Sequence, residues 1–394
     1  MKILLVIPGI GDVYGGTSKV AIEFAQALGK LGIDIDIVTT NANGLEDLDV
    51  PLRTWLNQGL YRLQYFPRWH IGDYKLSTSL TKWLFKNVAS YDLVHTIAVF
   101  SYPVSITHLA CKINRVPYIN SPHGMLEPWA LSHKSWKKKL YYSLIEKAAL
   151  DNASAIQMLN QAEAQNAEPL HLKAPLVTVP NGINCQEFQL QHNPKAFYEQ
   201  FPHTRDKALI LFLGRIDPKK GLDLLAPAFA KALSKFSNAH LIVAGPDSIG
   251  FLPTVQNYFA EEGCLNAVTF TGMLTGAMKY AALAAASIYV APSYSEGFSM
   301  SVLEAMASGL PCVITKGCNF PEAANNQAAL VVDIESSAIA NALIDCLSNP
   351  EQAKIMGERA RQLVFEKYTW DKVACQMQEV YSCLLQHQPV MAIS

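Results

Sequence analysis

Short, continuous apolar runs alternate with amphipathic stretches along this 394-residue chain, and the series occurs twice. In the first half, runs at 2–7, 33–38, 61–66, 91–95, 117–121, 154–158 and 175–179 read as strands, with helices near 16–30, 76–89, 101–114, 135–151 and 160–168. Ala208-Leu209-Ile210-Leu211-Phe212-Leu213 opens a second series, continued at 239–244, 267–271, 286–291, 311–315 and 328–332. Helices near 221–236, 251–262, 275–285, 300–308, 336–348 and 351–366 fall between them. Apolar strands without polar alternation predict parallel sheets covered by helices on both faces. The fold class is therefore α/β, with two Rossmann-like doubly wound lobes expected to face each other across a cleft. Residues 1–181 read as the first domain, 182–206 as a polar linker carrying Pro194 and Pro202, and 207–369 as the second domain. The terminal segment 370–394 holds a helix with no strand after it, expected to pack back across the domain junction.

Half of the residues are apolar and 16% are charged, as suits two compact domains. A formal net charge of −1 supplies no global field for nucleic acid, so no nucleic-acid partner is expected. Eight cysteines, with no C-x-x-C pair among them, read as reduced thiols that hold no metal. The apolar run Ile3-Leu4-Leu5-Val6-Ile7 is short for a leader and reads as a first strand. No stretch is apolar enough to span a bilayer. The expectation is a cytoplasmic protein, with peripheral attachment to the inner face of the membrane as a further option.

The densest chemical signal is Pro292-Ser-Tyr-Ser-Glu296-Gly297-Phe298-Ser299-Met-Ser-Val-Leu-Glu304, running from a strand through a turn into a helix. A strand's carboxyl end feeding a helix start is where doubly wound folds bind anions and sugars. Glu304 falls about one turn into that helix, so two carboxylates can meet different parts of a hydroxyl-rich ligand. Gly214-Arg215-Ile216-Asp217-Pro218-Lys219-Lys220-Gly221 has the same strand-to-helix placement. Its guanidinium and ammonium suit a diphosphate, although a solvated loop is the plainer reading of that segment alone.

Gly9 to Lys19 is glycine-rich, yet Thr17 replaces the lysine of a P-loop and Tyr14 the third glycine of a dinucleotide fingerprint. What remains is a helix start at Gly15-Gly16 whose backbone can approach a phosphate or sugar. His123-Gly124 follows another strand, which makes a ligand contact and a structural histidine equally good readings. Pro180-Asn181-Gly182 reads as a turn able to offer an amide.

These five segments together resemble the family 4 retaining glycosyltransferases of the GT-B fold, over essentially the whole chain. The resemblance implies a nucleotide-diphosphate-sugar donor held by the second lobe and an acceptor held by the first. Arg215 and Lys220 would neutralise the departing diphosphate beside Gly214, with Gly15 and Gly16 closing on it. Glu304 would take the ribose hydroxyls and Glu296 those of the sugar, with His123 and Asn181 nearby. Backbone at Gly297, Phe298 and Ser299 would line sugar and phosphates, and Met273-Leu274 would meet the base. His123, Arg215, Lys220 and Glu296 are the catalytic candidates. The family often has glycine where Ser299 stands, which leaves local shape and donor choice open. No cofactor and no metal are expected, since the cationic pair would serve at the diphosphate.

The favoured reading is a metal-independent hexosyltransferase using a UDP-sugar, UDP-glucose first, in envelope or extracellular polysaccharide assembly. The acceptor would be a saccharide or a lipid-diphosphate-linked one. A GDP-mannose user or a sugar-phosphate synthase are the enzyme alternatives, and a bilobed sugar-binding protein the non-enzyme one. Basic and aromatic residues mix at Trp129, Lys134, Trp136, Lys137, Lys138, Lys139, Tyr141 and Tyr142, and again at Arg62, Tyr65, Phe66, Arg68 and Trp69. Both a membrane surface and an ordinary solvated helix face fit that pattern.

Overall fold

The computed structural model describes residues 1–70, 74–132, 139–190 and 192–388. The chain divides into two compact units, one made of Met1–Gly182 with Trp370–Ser394 and the other of Ile183–Thr369.

The strands of the first unit are β1 (Lys2–Gly9), β2 (Asp34–Thr40), β3 (Ala42–Asn43), β4 (Glu46–Asp47), β5 (Trp55–Asn57), β6 (Arg62–Phe66), β7 (Leu93–Ile97), β8 (Tyr118–Ser121), β9 (Ala155–Met158) and β10 (Leu176–Thr178). Their main sheet has the order β10-β9-β8-β7-β1-β2-β6-β5, and only the edge pair β5/β6 is antiparallel. Ile3 to Ile7 of β1 are buried throughout, as a central parallel strand covered on both faces requires. Strand order reverses between β1 and β7. The last helix, Trp370–Leu385, packs on the helix Gly16–Lys30 of this unit. Trp370 Nε1 donates to buried Glu23 Oε2 at 2.7 Å, and the Trp370 ring lies 5.8 Å from that of Phe24.

The second unit contains β11 (Ala208–Leu213), β12 (Ala239–Ala244), β13 (Val268–Gly272), β14 (Ile288–Ala291), β15 (Cys312–Thr315) and β16 (Leu330–Val332). They form one parallel sheet in the order β13-β12-β11-β14-β15-β16, the doubly wound arrangement, with its reversal between β11 and β14. Ile210 and Phe212 of β11 and Leu241 and Val243 of β12 pack with Leu225 and Phe229 of the helix Leu222–Lys235 in one core.

Two expectations need correction. The segment 182–206 is not a linker, because from Ile183 onward it belongs to the second unit. It forms the helices Cys185–Gln189 and Lys195–Gln200, each anchored by one buried phenylalanine, Phe188 and Phe197. Ile183 N donates to Tyr368 O at 2.9 Å, joining the two ends of the unit. Next, Arg62 and Arg68 are not offered to a surface partner. Arg62 makes two bonds to buried Asp36 at 2.7 and 2.6 Å, and Arg68 is itself buried and bonds Asp47 Oδ1 at 2.7 Å. Of the helix expected over 135–151, residues 139–151 are helical, while Trp136, Lys137 and Lys138, with Lys134 before them, lie outside the described residues. Its described part contains a π-turn, Tyr142–Glu146, leading into Lys147–Asp151. Buried Glu146 at the end of that turn accepts from Phe100 N at 3.0 Å. Among the described residues no helix is long and apolar enough to cross a membrane.

Candidate active site

Loops flanking a reversal of strand order splay apart and leave a crevice at the carboxyl ends of the strands. In the second unit these loops follow β11 and β14, and backbone contacts lock them together. Tyr294 N donates to Lys219 O at 2.9 Å, and Tyr294 Oη donates to Asp223 Oδ2 at 2.5 Å. Gly221 has φ +70°, and a Cβ there would stand 2.0 Å from Pro292 O, so only glycine fits. Gly317, beyond β15, lies as close: its Cβ would be 2.3 Å from Ser293 O. That approach lets Glu296 N donate to Gly317 O at 2.7 Å.

The lock brings Lys220 Nζ to 2.6 Å from Glu296 Oε1, and Ser293 Oγ donates to the same oxygen at 2.7 Å. The two side chains are only 15% and 11% exposed. Burial works against the charged carboxylate, but the Lys220 and Lys219 charges and the bonds from Lys220 and Ser293 outweigh it. Glu296 therefore titrates below the usual carboxylate range. Glu304, in the helix Met300–Ala307, is buried with Oε1 2.7 Å from Lys279 Nζ. Lys279 belongs to the helix Gly276–Ala285 after β13, and its ammonium lies 5.2 Å from the centre of the Tyr280 ring. Tyr280 stacks on His192 at 4.5 Å, and its hydroxyl donates to Glu187.

Arg215 is exposed and makes no hydrogen bond or ion pair among the described residues. Gly214 N donates to Ala244 O at 2.9 Å, which fixes the root of that loop. Phe298 is buried against Phe320 and Tyr368, so its ring is committed to packing. Ser299 stands at the helix N-cap position without a side-chain cap bond. After β13, Met273 is exposed and Leu274 buried.

In the first unit, Gly15 at φ +57° precedes the helix Gly16–Lys30 at the β1 side of the strand-order reversal. A glycine there leaves the helix start without a side-chain cap, which suits an anion. His123 follows β8 with φ +51°, and Gly124 with φ +73°. Gly124 N donates to Glu163 Oε1 at 2.6 Å, and Leu159 N to Glu163 Oε2 at 2.6 Å, so one buried carboxylate holds the turn. A cavity of about 10 Å³ is lined by His123, His95, Gln157, Asn181 and Trp370. His95 Nδ1 and Tyr381 Oη lie 2.6 Å apart. Burial pushes His123 down to about 4, and burial with the opposing His123 charge pushes His95 down to about 3. His123 is thus a neutral hydrogen-bonding group at neutral pH.

The structure unites Lys220 with Glu296, and separately Asn181 with His123. It does not pair Arg215 with Lys220, and it gives Glu304 a lysine of its own. Sequence reasoning missed Lys279, Ser293, Glu163 and His95. Ser293 had a signal, standing three positions before Glu296 on the same turn. Lys279 had none, being one lysine in the first turn of an otherwise apolar helix.

Residues 14–187 match the family described as Glycosyltransferase Family 4, and residues 195–363 the family described as Glycosyl transferases group 1. The chain is 26% identical to a D-inositol 3-phosphate glycosyltransferase of Corynebacterium urealyticum, covering 95% of this chain and 92% of that one. It is 26% identical to a phosphatidyl-myo-inositol mannosyltransferase of Mycobacterium leprae, covering 97% and 96%. Among solved structures, sucrose-phosphate synthase of Thermosynechococcus elongatus superposes with a TM-score of 0.79 at 20% identity, covering 98% of this chain and all of that one. Anabaena HepE in complex with UDP and glucose gives 0.77 at 19% identity, covering 97% and 99%. At these identities the superpositions establish the GT-B fold.

Proposed function

This chain belongs to the family 4 glycosyltransferases, and on that premise we propose that it moves a hexose from a uridine-diphosphate sugar, UDP-glucose first, with retention of configuration. The acceptor is a saccharide or a lipid-linked saccharide, in assembly of an envelope or extracellular polysaccharide. The observation that carries this reading is the buried Lys220–Glu296 pair, 2.6 Å long, at the strand-order reversal of the second unit. It sets a phosphate-binding ammonium beside a hydroxyl-binding carboxylate, the two chemistries found next to each other in a nucleotide-sugar.

In this reading Arg215 and Lys220 take the diphosphate, Glu296 the sugar hydroxyls and Glu304 the ribose. Backbone at Gly214, Gly297, Phe298 and Ser299 lines sugar and phosphates, and Met273-Leu274 meets the base. Gly15, Gly16, Asn181 and neutral His123 are the first unit's contacts to substrate. As the sugar carbon passes through an oxocarbenium-like state, the growing negative charge on the diphosphate falls to Arg215 and Lys220. The departing diphosphate then accepts the proton of the incoming hydroxyl on the same face. The cationic pair takes the place of a metal ion, so EDTA should leave turnover unchanged. Exposed Leu140 and Leu144 beside Lys139 support peripheral membrane contact. Flotation with anionic liposomes at low salt tests that contact, and no binding there would refute it.

A GDP-mannose-dependent mannosyltransferase of Mycobacterium tuberculosis, 27% identical over 52% of this chain, favours GDP-mannose as the second reading for the donor. A thermal-shift panel of UDP, GDP and ADP with their sugars separates the two. A nucleotide at one hundred times its dissociation constant stabilises by about 2.7 kcal/mol, a visible shift. UDP and UDP-glucose are expected to give the largest shifts, and a response to GDP-mannose alone would overturn the choice of base.

A further inference from the structure

We propose that Lys279 is a positioning residue for ribose recognition: it holds the Glu304 carboxylate in the orientation that reads the sugar hydroxyls of the nucleotide. The inference rests on the reading of Glu304 given above and extends it to a residue no motif singles out.

The geometry is specific. Lys279 Nζ is 2.7 Å from Glu304 Oε1, and the side chains are 14% and 8% exposed, so the pair is screened from water. The two residues come from separate elements, the helices Gly276–Ala285 and Met300–Ala307, joined here across 25 positions of chain. Lys279 is itself held from behind. Its ammonium lies against the Tyr280 ring, which His192 stacks and whose hydroxyl is tied to Glu187. A contact chain therefore runs from the helix Cys185–Gln189 to the Glu304 carboxylate.

A carboxylate left to rotate would order only when ligand arrived, and would lose affinity by that ordering. One fixed beforehand by an ammonium keeps its acceptor direction before the ribose enters, as outer groups do for ligating carboxylates elsewhere. Lys220 and Glu296 repeat the construction at the other carboxylate. The difference is that Lys220 has a phosphate to bind, whereas Lys279 has no such assignment. Its function is exercised through Glu304.

The test is calorimetric titration of the full chain with UDP and with 2′-deoxy-UDP, and in parallel with GDP and 2′-deoxy-GDP, so that base preference does not decide the outcome. Wild type, Lys279→Met, Lys279→Arg and Glu304→Gln are compared, with melting temperatures as a check on folding. Wild type should prefer the ribonucleotide by about tenfold to a hundredfold, the size of a hydrogen bond to a charged group. Lys279→Met should reduce the preference to less than about threefold while still binding the deoxynucleotide, and Lys279→Arg should restore most of it. A merely structural lysine would weaken both nucleotides alike. Undiminished preference in Lys279→Met overturns the inference and leaves the Glu304 reading standing. Equal binding of ribo- and deoxynucleotide by wild type, or loss of preference in no Glu304 variant, overturns the Glu304 reading and the inference with it. Should Lys279→Met fail to fold, Lys279→Arg decides: its ribonucleotide preference must exceed that of Glu304→Gln.

Discussion

Lys220 and Glu296 stand 76 positions apart in the chain and meet at 2.6 Å, each the principal charged partner of the other. The pair explains how a carboxylate and an ammonium persist in a site with little water. Neither charge is left bare until a ligand takes one of them.

Removing one partner should leave the other buried and uncompensated, at a cost of roughly 3–5 kcal/mol for a fully buried pair and less for this partly screened one. Lys220→Met is therefore expected to lower the urea midpoint clearly, and Lys220→Met/Glu296→Gln to recover part of the loss. A double variant whose loss equals the sum of the single ones would deny the coupling.

Arg215 is free of partners among the described residues, and the expected signature of its substitution follows from that. Arg215→Ala should leave the unfolding free energy of the ligand-free protein within about 0.5 kcal/mol of wild type. Its turnover should fall about a hundredfold, as for loss of one contact at a developing charge. Near wild-type turnover would remove Arg215 from the diphosphate site.

Acid should weaken the fold in two stages. Burial pushes His95 and His108 down to about 3 from an ordinary 6.5, so below pH 6.5 the unfolded chain binds more protons than the folded one. Stability then falls with pH, approaching about 1.4 kcal/mol per pH unit for each such histidine. Glu296 enters lower down. Its folded value lies under the ordinary 4.5, so its contribution is complete above 4.5 and disappears as pH falls through the folded value. Urea midpoints measured from pH 7 to pH 4 should decline steadily, and a flat profile between 6.5 and 5 would contradict the histidine assignment.

Trp370 ties the last helix to the first unit through Glu23 and Phe24. Trp370→Ala removes a large buried ring and its bond to the Glu23 carboxylate, which keeps its ion pair with Lys19, so a loss of about 3–5 kcal/mol, the range for deleting a buried aromatic ring, is expected. Denaturant unfolding checks it, and a loss below about 1 kcal/mol would mean that the contact carries little.

Much of this was legible beforehand because fully buried parallel strands are uninterrupted apolar runs. Ala208–Leu213 and Ala239–Ala244 have the bounds expected of them. The same holds for the carboxylates, since a glycine turn between strand and helix marks Glu296 and Glu304 directly. Edge elements gave no such signal. Trp55–Asn57 is a three-residue antiparallel strand paired to the edge of the sheet, with Arg62 of the neighbouring strand stacked over Trp55. The stretch 182–206 reads as a linker because its polar composition hides two anchors, Phe188 and Phe197. Lys279 was invisible for a related reason, since its partner lies on another helix and only the folded sheet brings them together.

The central claim is that a nucleotide-sugar is held by the Lys220–Glu296 clasp. Calorimetric titration of UDP-glucose and UDP into wild type and Glu296→Gln tests it most directly. The account predicts that wild type binds UDP-glucose more tightly than UDP, and that Glu296→Gln keeps its affinity for UDP while losing that advantage. Equal loss of both ligands in Glu296→Gln, or an undiminished preference for UDP-glucose, would contradict it.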